Sequence, residues 1–259
     1  MSAFEFNLTP RDVPFIKTNN RVIGTKIPVP ESLSLIEEIK NYESSNALEQ
    51  LPVVWGSAKN HQIFDEWGNA WIDFTSSIFV TNSGHANDNV IKRVNECMSK
   101  PLLHSYYYPT RIRAEFLEKL IGMTPDYLEK AILLSVGTEA TERAIKISRI
   151  HGESIVRGKN IIIGGEGNYH GKTLGAQMVS GQHSDKDWIG YVDPNMKHIP
   201  FPYPWDLENF DGDGRELFHS HLKLLEDDGV ELSKIAAFFV ESFQGWGAIF
   251  YPVDYIQAM

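Results

Sequence analysis

Apolar side chains recur at helical spacing over residues 33–42, where Leu35, Ile36 and Ile39 sit between charged positions, and the spacing predicts an amphipathic helix. The first thirty residues, punctuated by Pro and Asn, read as an irregular arm. A β-rich stretch follows, with strands predicted over 53–56, 62–64 and 70–74; the last two flank Asp65-Glu66-Trp67-Gly68-Asn69, a hairpin turn. Helical spacing returns over 87–98 and 111–121, joined by the aromatic segment 104–109. From residue 131 the texture alternates. Apolar runs at 131–134, 160–163 and 235–240 read as buried strands, interleaved with helical stretches at 139–150, 173–179 and 215–225. Strand and helix in this rhythm predict an α/β domain with a mostly parallel sheet flanked by helices. We place an N-terminal arm and small α+β lobe at 1–80 and a large α/β domain at 81–259. Residues 255–259 look like the opening of a further helix with no C-cap, so the large domain is expected to be incomplete at its C-terminal end.

Composition narrows the class. The 259 residues are 42% hydrophobic and 22% charged, the balance of a globular protein able to bury a core. A formal net charge of -10 disfavours nucleic acid or an anionic membrane as partner. The apolar runs are too short to span a bilayer, and the N-terminus has no basic and apolar leader. The single cysteine, Cys97, cannot form an internal disulfide, which fits a reducing, cytoplasmic compartment.

Three segments could carry chemistry. Leu134-Ser135-Val136-Gly137-Thr138-Glu139 places a small-residue turn before a helix start, whose backbone N–H groups and positive dipole suit a phosphate. Taken alone, a plain connection in which Thr138 merely caps the helix is the preferred reading. Gly164-Gly165-Glu166-Gly167-Asn168-Tyr169-His170-Gly171-Lys172 is a glycine-rich loop after a strand; it lacks the third glycine of a dinucleotide fingerprint. Tyr169 could stack on an aromatic cofactor or simply pack, and His170 could line the same site or serve as an ordinary hydrogen-bonded loop residue. In Val240-Glu241-Ser242-Phe243-Gln244-Gly245, a carboxylate ends an apolar strand, where open α/β sheets bind ligands. Pairing of Glu241 with a nearby basic side chain is the structural alternative. His219-x-His221 lies in helical surroundings that would splay the rings, and Asp211-x-Asp213 loses its third oxygen ligand at Arg215, so no metal site is expected.

In order and spacing the three segments resemble the class III aminotransferases of the 4-aminobutyrate and ornithine type, which are fold-type-I pyridoxal-phosphate enzymes. Flanking text agrees: Ala144-Ile145-Lys146-Ile147-Ser148-Arg149, Thr173-Leu174-Gly175-Ala176, Phe64-Asp65 with Gly68-Asn69, and Ser83-Gly84-His85-Ala86. The likeness runs from about residue 50 to the last. It implies that Gly137 and Thr138 hold the phosphate of pyridoxal 5′-phosphate, that Tyr169 lies against its ring, and that His170 shapes the pocket. It implies that Glu241 stands near the substrate. Phe79 departs from the family's small Ser-Gly-x-x-V segment, here Ser76-Ser77-Ile78-Phe79-Val80, and would alter the substrate pocket's floor. The family's E-P-x-Q-G appears as Glu241-Ser242-Phe243-Gln244-Gly245, with Trp246 bringing bulk.

The resemblance implies transfer of an amino group from an amino acid, commonly ω-amino, or an amine to a 2-oxo acid, by a homodimer. It also implies a Schiff-base lysine and a C-terminal lobe, both expected downstream of Met259; Lys172 matches the family's basic residue after Tyr-His-Gly and not that lysine. Two other readings follow from the same motifs. One is a related cofactor enzyme such as an aminomutase, the other an inactive truncated protein kept for binding or assembly.

Overall fold

The computed structural model describes residues 6–43, 51–102, 104–105 and 108–259. Tyr106 and Tyr107 of the aromatic segment lie outside the described residues. Two compact units are present, Met1–Phe116 and Leu117–Met259; the lobe division drawn near residue 80 from the sequence follows a different line.

The first unit is a small antiparallel sheet with helices attached. Its strands are β1 (Ile16–Lys17), β2 (Val22–Ile23), β3 (Ser57–Lys59), β4 (Gln62–Phe64) and β5 (Ala70–Ile72), in the order β1-β2-β5-β4-β3. Helix α1 (Leu33–Tyr42) matches its predicted bounds. The predicted hairpin joins β4 and β5, with Phe64 opposite Ala70. Asp65 builds that turn: its Oδ1 accepts from Trp67 N and Asn69 N, both at 2.9 Å, and its Oδ2 accepts from Asn69 Nδ2 at 2.6 Å. The strand expected over 53–56 is displaced to Ser57–Lys59. Its partner β4 offers only three residues, so pairing begins where Gly56 N donates to Phe64 O at 2.9 Å. Strands β1 and β2 fall in the arm read as irregular, being only two residues each.

After β5 comes α2 (Ser76–Phe79), a single turn with φ from +46° to +74° at four consecutive non-glycine residues. Such left-handed backbone is costly for L-residues. Asp73 anchors its start, accepting at Oδ1 from Thr75 N, Thr75 Oγ1 and Ser76 N. Asp73 Oδ2 meets His85 Nε2 at 2.7 Å, and the pair is shielded from solvent. Burial pushes the Asp73 carboxyl up, but the bonds from His85 and Thr75 outweigh it and hold the group down at about 2. Helix α3 (Asp88–Met98) starts at Asn87, whose side chain caps Asn89 N and Val90 N. Helix α4 (Arg111–Ile121) keeps its predicted bounds and leads into the second unit.

The second unit is a parallel α/β layer structure. Strands β6 (Ile161–Gly165), β7 (Met196–Ile199) and β8 (Ile235–Phe239) pair in the order β7-β6-β8. Successive residues of β6 face opposite sides. Ile163 packs with Leu217, Phe218, Leu225 and Tyr255 of α8 (Gly214–Asp227) and α9 (Val253–Ala258), whereas Ile162 packs with Ile145, Met178 and Val179 of α5 (Gly137–Ile155) and α6 (Leu174–Val179). One four-residue helix, α7 (Pro204–Leu207), precedes α8. At Gly164 a β-carbon would collide with Val179 O, so a larger residue there would push α6 off the sheet.

Two expectations need correction. The apolar run 131–134 belongs to no strand among the described residues, with Ile132 and Leu134 about half exposed. A strand exists only through its hydrogen-bonding neighbour, and apolar character alone does not supply one. Conversely, β7 went unpredicted because Lys197 and His198 interrupt a four-residue element. No described helix is long and apolar enough to cross a membrane.

Candidate cofactor site

Strands β6 and β8 are parallel, so the segments leaving their C-terminal ends emerge on one side of the sheet. The β6 exit carries Tyr169 and His170; the β8 exit carries Glu241. The structure brings them together. Glu241 Oε2 accepts from Tyr169 N at 3.1 Å, and its Oε1 accepts from Gly245 N at 3.4 Å. Its partners are thus backbone amides, not the basic side chain considered from sequence. Burial raises the Glu241 carboxyl above the usual range, and these two amides partly oppose the shift.

The loop 166–173 is pinned on several sides. His170 N donates to Ser180 Oγ at 2.8 Å, and Thr141 Oγ1 of α5 donates to His170 O at 2.9 Å. Asn168, fully buried, donates through Nδ2 to Tyr251 Oη at 2.8 Å. Glu142, on α5, accepts at Oε1 from Thr173 Oγ1 at 2.5 Å, Gly175 N at 2.9 Å and Ala176 N at 3.0 Å, closing the N-terminus of α6. Gly171 adopts φ +132°, and a β-carbon there would run into the Thr138 hydroxyl. That close approach sets the loop directly against the start of α5.

Helix α5 begins at Gly137, two residues before the predicted stretch 139–150, and its N-cap Val136 offers no side-chain cap. A β-carbon built on Gly137 meets nothing within 4 Å, so the backbone there is open to a ligand. Thr138 is half-buried beside the Tyr-His-Gly loop. The Tyr169 ring is 45% exposed, and His170 packs edge-on to Phe239 at 6.0 Å between ring centroids. His170 Nε2 is buried with no hydrogen-bond partner in the protein. Burial holds this imidazole below its usual range, with a backbone bond to Phe239 opposing, so it is neutral at physiological pH. Below the site, Gln244 is 2% exposed and reaches Tyr203 Oη at 3.2 Å.

Gly137, Thr138, Tyr169, His170 and Glu241 therefore gather within the second unit. Phe79 belongs to the first unit, on the left-handed turn α2, and is half exposed. Sequence reasoning passed over Glu142, Thr141 and Asn168. For Asn168 a signal existed in its place within the glycine-rich loop; for Glu142 none did, because its partners lie over thirty positions away. Among the described residues no group of His, Cys, Asp and Glu could hold a metal; His221 instead bonds Tyr255 Oη at 2.8 Å, and Asp213 caps α8.

The family pattern of the class-III aminotransferases matches residues 44–259. The chain belongs to this family. It is 30% identical over 226 residues to diaminobutyrate–2-oxoglutarate transaminase of Sporosarcina pasteurii, covering 84% of this chain and 49% of that protein. It is 32% identical over 163 residues to ornithine aminotransferase of Saccharomyces cerevisiae, covering 61% of this chain and 38% of that one. A crystal structure of a transaminase from the marine bacterium Virgibacillus superposes with a TM-score of 0.74 at 25% identity, over 87% of this chain and 51% of the other. The chain thus spans about half the length of the relatives it matches, or less. Its mixed α/β architecture is that of fold-type-I transaminases, and the family implies pyridoxal 5′-phosphate. The residues fit that group: an uncapped helix start open at Gly137, an exposed aromatic ring, and a buried imidazole nitrogen awaiting a partner.

Proposed function

We propose that this chain contributes the phosphate and ring contacts of a transaminase that moves an amino group from an amino acid, of the ω-amino kind, or an amine to a 2-oxo acid. The observation that carries the reading is that the Tyr169–His170 loop meets both the α5 start, at Gly171 and Thr138, and the Glu241 turn, at Tyr169 N, while holding a buried, unpaired His170 Nε2. Pyridoxal phosphate, when bound, supplies an electron-poor ring that accepts the charge released when a substrate C–H bond loses its proton.

The chain's own residues then have separable tasks. The first N–H groups of α5, at Gly137 and Thr138, meet the phosphate with the positive end of a 19-residue helix, and the Thr138 hydroxyl adds a donor. Tyr169 offers its ring for stacking. His170, neutral through burial, offers Nε2 for one hydrogen bond. Glu241 fixes the loop by holding Tyr169 N and faces the amino substrate as a carboxylate. Phe79 is assigned to the substrate pocket from its place in the sequence motif alone. On this reading the Schiff-base lysine lies in sequence following Met259, and the working form is a homodimer.

The test is turnover. The longest protein containing this chain, supplied with pyridoxal phosphate, a 2-oxo acid and a panel of ω-amino acids and amines, is expected to release the donor's carbonyl product only when the 2-oxo acid is present. Bound cofactor with no such product from any donor would sink the transaminase reading.

A further inference from the structure

Away from the cofactor site, a cavity of about 390 Å³ is lined by His183, Lys186, Asp187, Val192, Met196 and His198 among its walls. This is near the small end of small-molecule sites, which run roughly 300–1,000 Å³. Lys186 sits between two one-turn segments, His183–Asp185 and Asp187–Ile189, and is only 8% exposed. Among the described residues no carboxylate pairs with it. Its Nζ lies 3.0 Å from Met178 O and 3.2 Å from His198 Nε2.

The surroundings of His198 weaken that amine's hold on its proton. Its Nε2 faces Ser180 O at 2.9 Å and Val179 O at 3.2 Å as well as the lysine. Carbonyl oxygens only accept, so Nε2 carries hydrogen. An ammonium beside it would set N–H against N–H. An uncharged amine instead turns its lone pair to the imidazole and donates to Met178 O. Burial acts the same way, drawing Lys186 down to about 8, and burial is also the main reason His198 is drawn down to about 4. Asp187 and His183 are the other titratable groups on the cavity wall, and both are exposed.

We propose that Lys186 is a nucleophilic amine that captures small aliphatic aldehydes in this cavity as an imine. Its lone pair adds to the aldehyde carbon while the carbonyl oxygen takes up a proton and the nitrogen gives one up. The hydroxyl then leaves as water with the nitrogen's second proton, and the C=N bond forms with no change in oxidation state. His183, exposed at the cavity, is placed to pass a proton to the departing hydroxyl; Val192 and Met196 supply apolar walls. This chemistry does not depend on the cofactor reading and concerns a different lysine from the one the family implies.

Propanal with cyanoborohydride, which reduces imines in place, tests it on the full chain by peptide mass mapping between pH 7 and 9. At pH 7.5 Lys186 is expected to label about tenfold faster than the exposed Lys92 and Lys146, because burial draws its pKa to about 8 and leaves a reactive share of it uncharged there. The Lys186 rate should level off above pH 8, His198→Gln should retain it by keeping a donor to the amine, and Lys186→Arg should remove the mark from that peptide alone. Labelling of Lys186 no faster than Lys92, or protection of Lys186 by inorganic phosphate at pH 7.5, would overturn the proposal, the latter by showing a charged, anion-binding amine.

Discussion

In Met1–Phe116 the buried side chains include the polar Asn69 and Asp73, each surrounded by hydrogen-bond partners, beside the apolar Ile23 and Ile63, whereas Leu117–Met259 buries a larger apolar set, Ile162, Ile163, Val179, Phe201 and Tyr255 among them, together with Asn168. The contrast follows from strand length. Strands of two or three residues cover little apolar surface, and neither α3 nor α4 buries a residue. The first unit therefore takes its register from directional bonds: Asn69 joins the β4–β5 turn to Gly24 N and Thr25 Oγ1, and Asp73 joins the turn α2 to His85. The second unit has two apolar clusters, one on each face of β6. Buried polar groups of the candidate site, Asn168 and Gln244, lie beyond that packing, in the segments that follow β6 and β8. A firm apolar layer holds the loops that carry the candidate chemistry.

Substitutions should break the two units by different routes. The largest effect is expected from Phe201→Ala, at 1% exposure, which should cost about 3–5 kcal/mol in chemical denaturation. It should raise hydrogen exchange in β6 and β7 while leaving β4 and β5 unchanged. Asp73→Ala should cost about 3 kcal/mol by removing one partner of a buried pair and three bonds to Thr75 and Ser76. Here the exchange rise should be confined to the first unit; a rise spread evenly over both would erase the distinction drawn between them.

Acid should separate the units by pH window. His198 is held at about 4 when folded, against 6.5 when unfolded, so the unfolded chain takes up the proton first. Stability from the second unit is full above 6.5 and falls as pH drops from 6.5 to 4, by at most about 3 kcal/mol. Asp73 has the usual carboxylate sign: its contribution is present above 3.8 and is lost only as pH falls toward 2. Exchange followed from pH 7 to 3 should show β6 and β7 loosening before β4 and β5, and His198→Gln should shrink that lag. Simultaneous loosening would contradict it.

A smaller effect is expected at Glu142. Its replacement by alanine frees three donors at the α6 start and should cost about 1–2 kcal/mol. Exchange should rise over 168–177 with β6 unmoved, and pyridoxal phosphate should bind more weakly. Loss of stability without that local loosening would make Glu142 a general packing residue.

Legibility in the sequence tracked the range of the forces. Helices α1 and α4 kept their predicted bounds because 3.6-residue spacing is a local property, and the Asp65–Asn69 turn is built by its own residues. The run 131–134 misled because pairing is decided by a neighbour the local pattern does not contain. Likewise β7 is a strand because β6 lies beside it, and its polar Lys197 and His198 hid it. The left-handed turn at Ser76–Phe79 has no glycine to announce it; Asp73 holds it in place. At the site, the order of Gly137-Thr138, Tyr169-His170 and Glu241 was visible along the chain. The contacts that fix their geometry, from Glu142, Thr141 and Asn168, emerge only once α5 and β6 are packed.

The central claim is that the start of α5 and the Tyr169–His170 loop form a phosphate-and-ring site, and the comparison of pyridoxal 5′-phosphate with pyridoxal tests it most directly. Equilibrium dialysis of the full chain should show the phosphorylated form binding about tenfold more tightly, the scale of a helix N-terminus acting on an anion. Thr138→Val should reduce that preference, and His170→Phe should weaken both ligands alike. Equal binding of the two ligands by the wild-type chain would contradict the account.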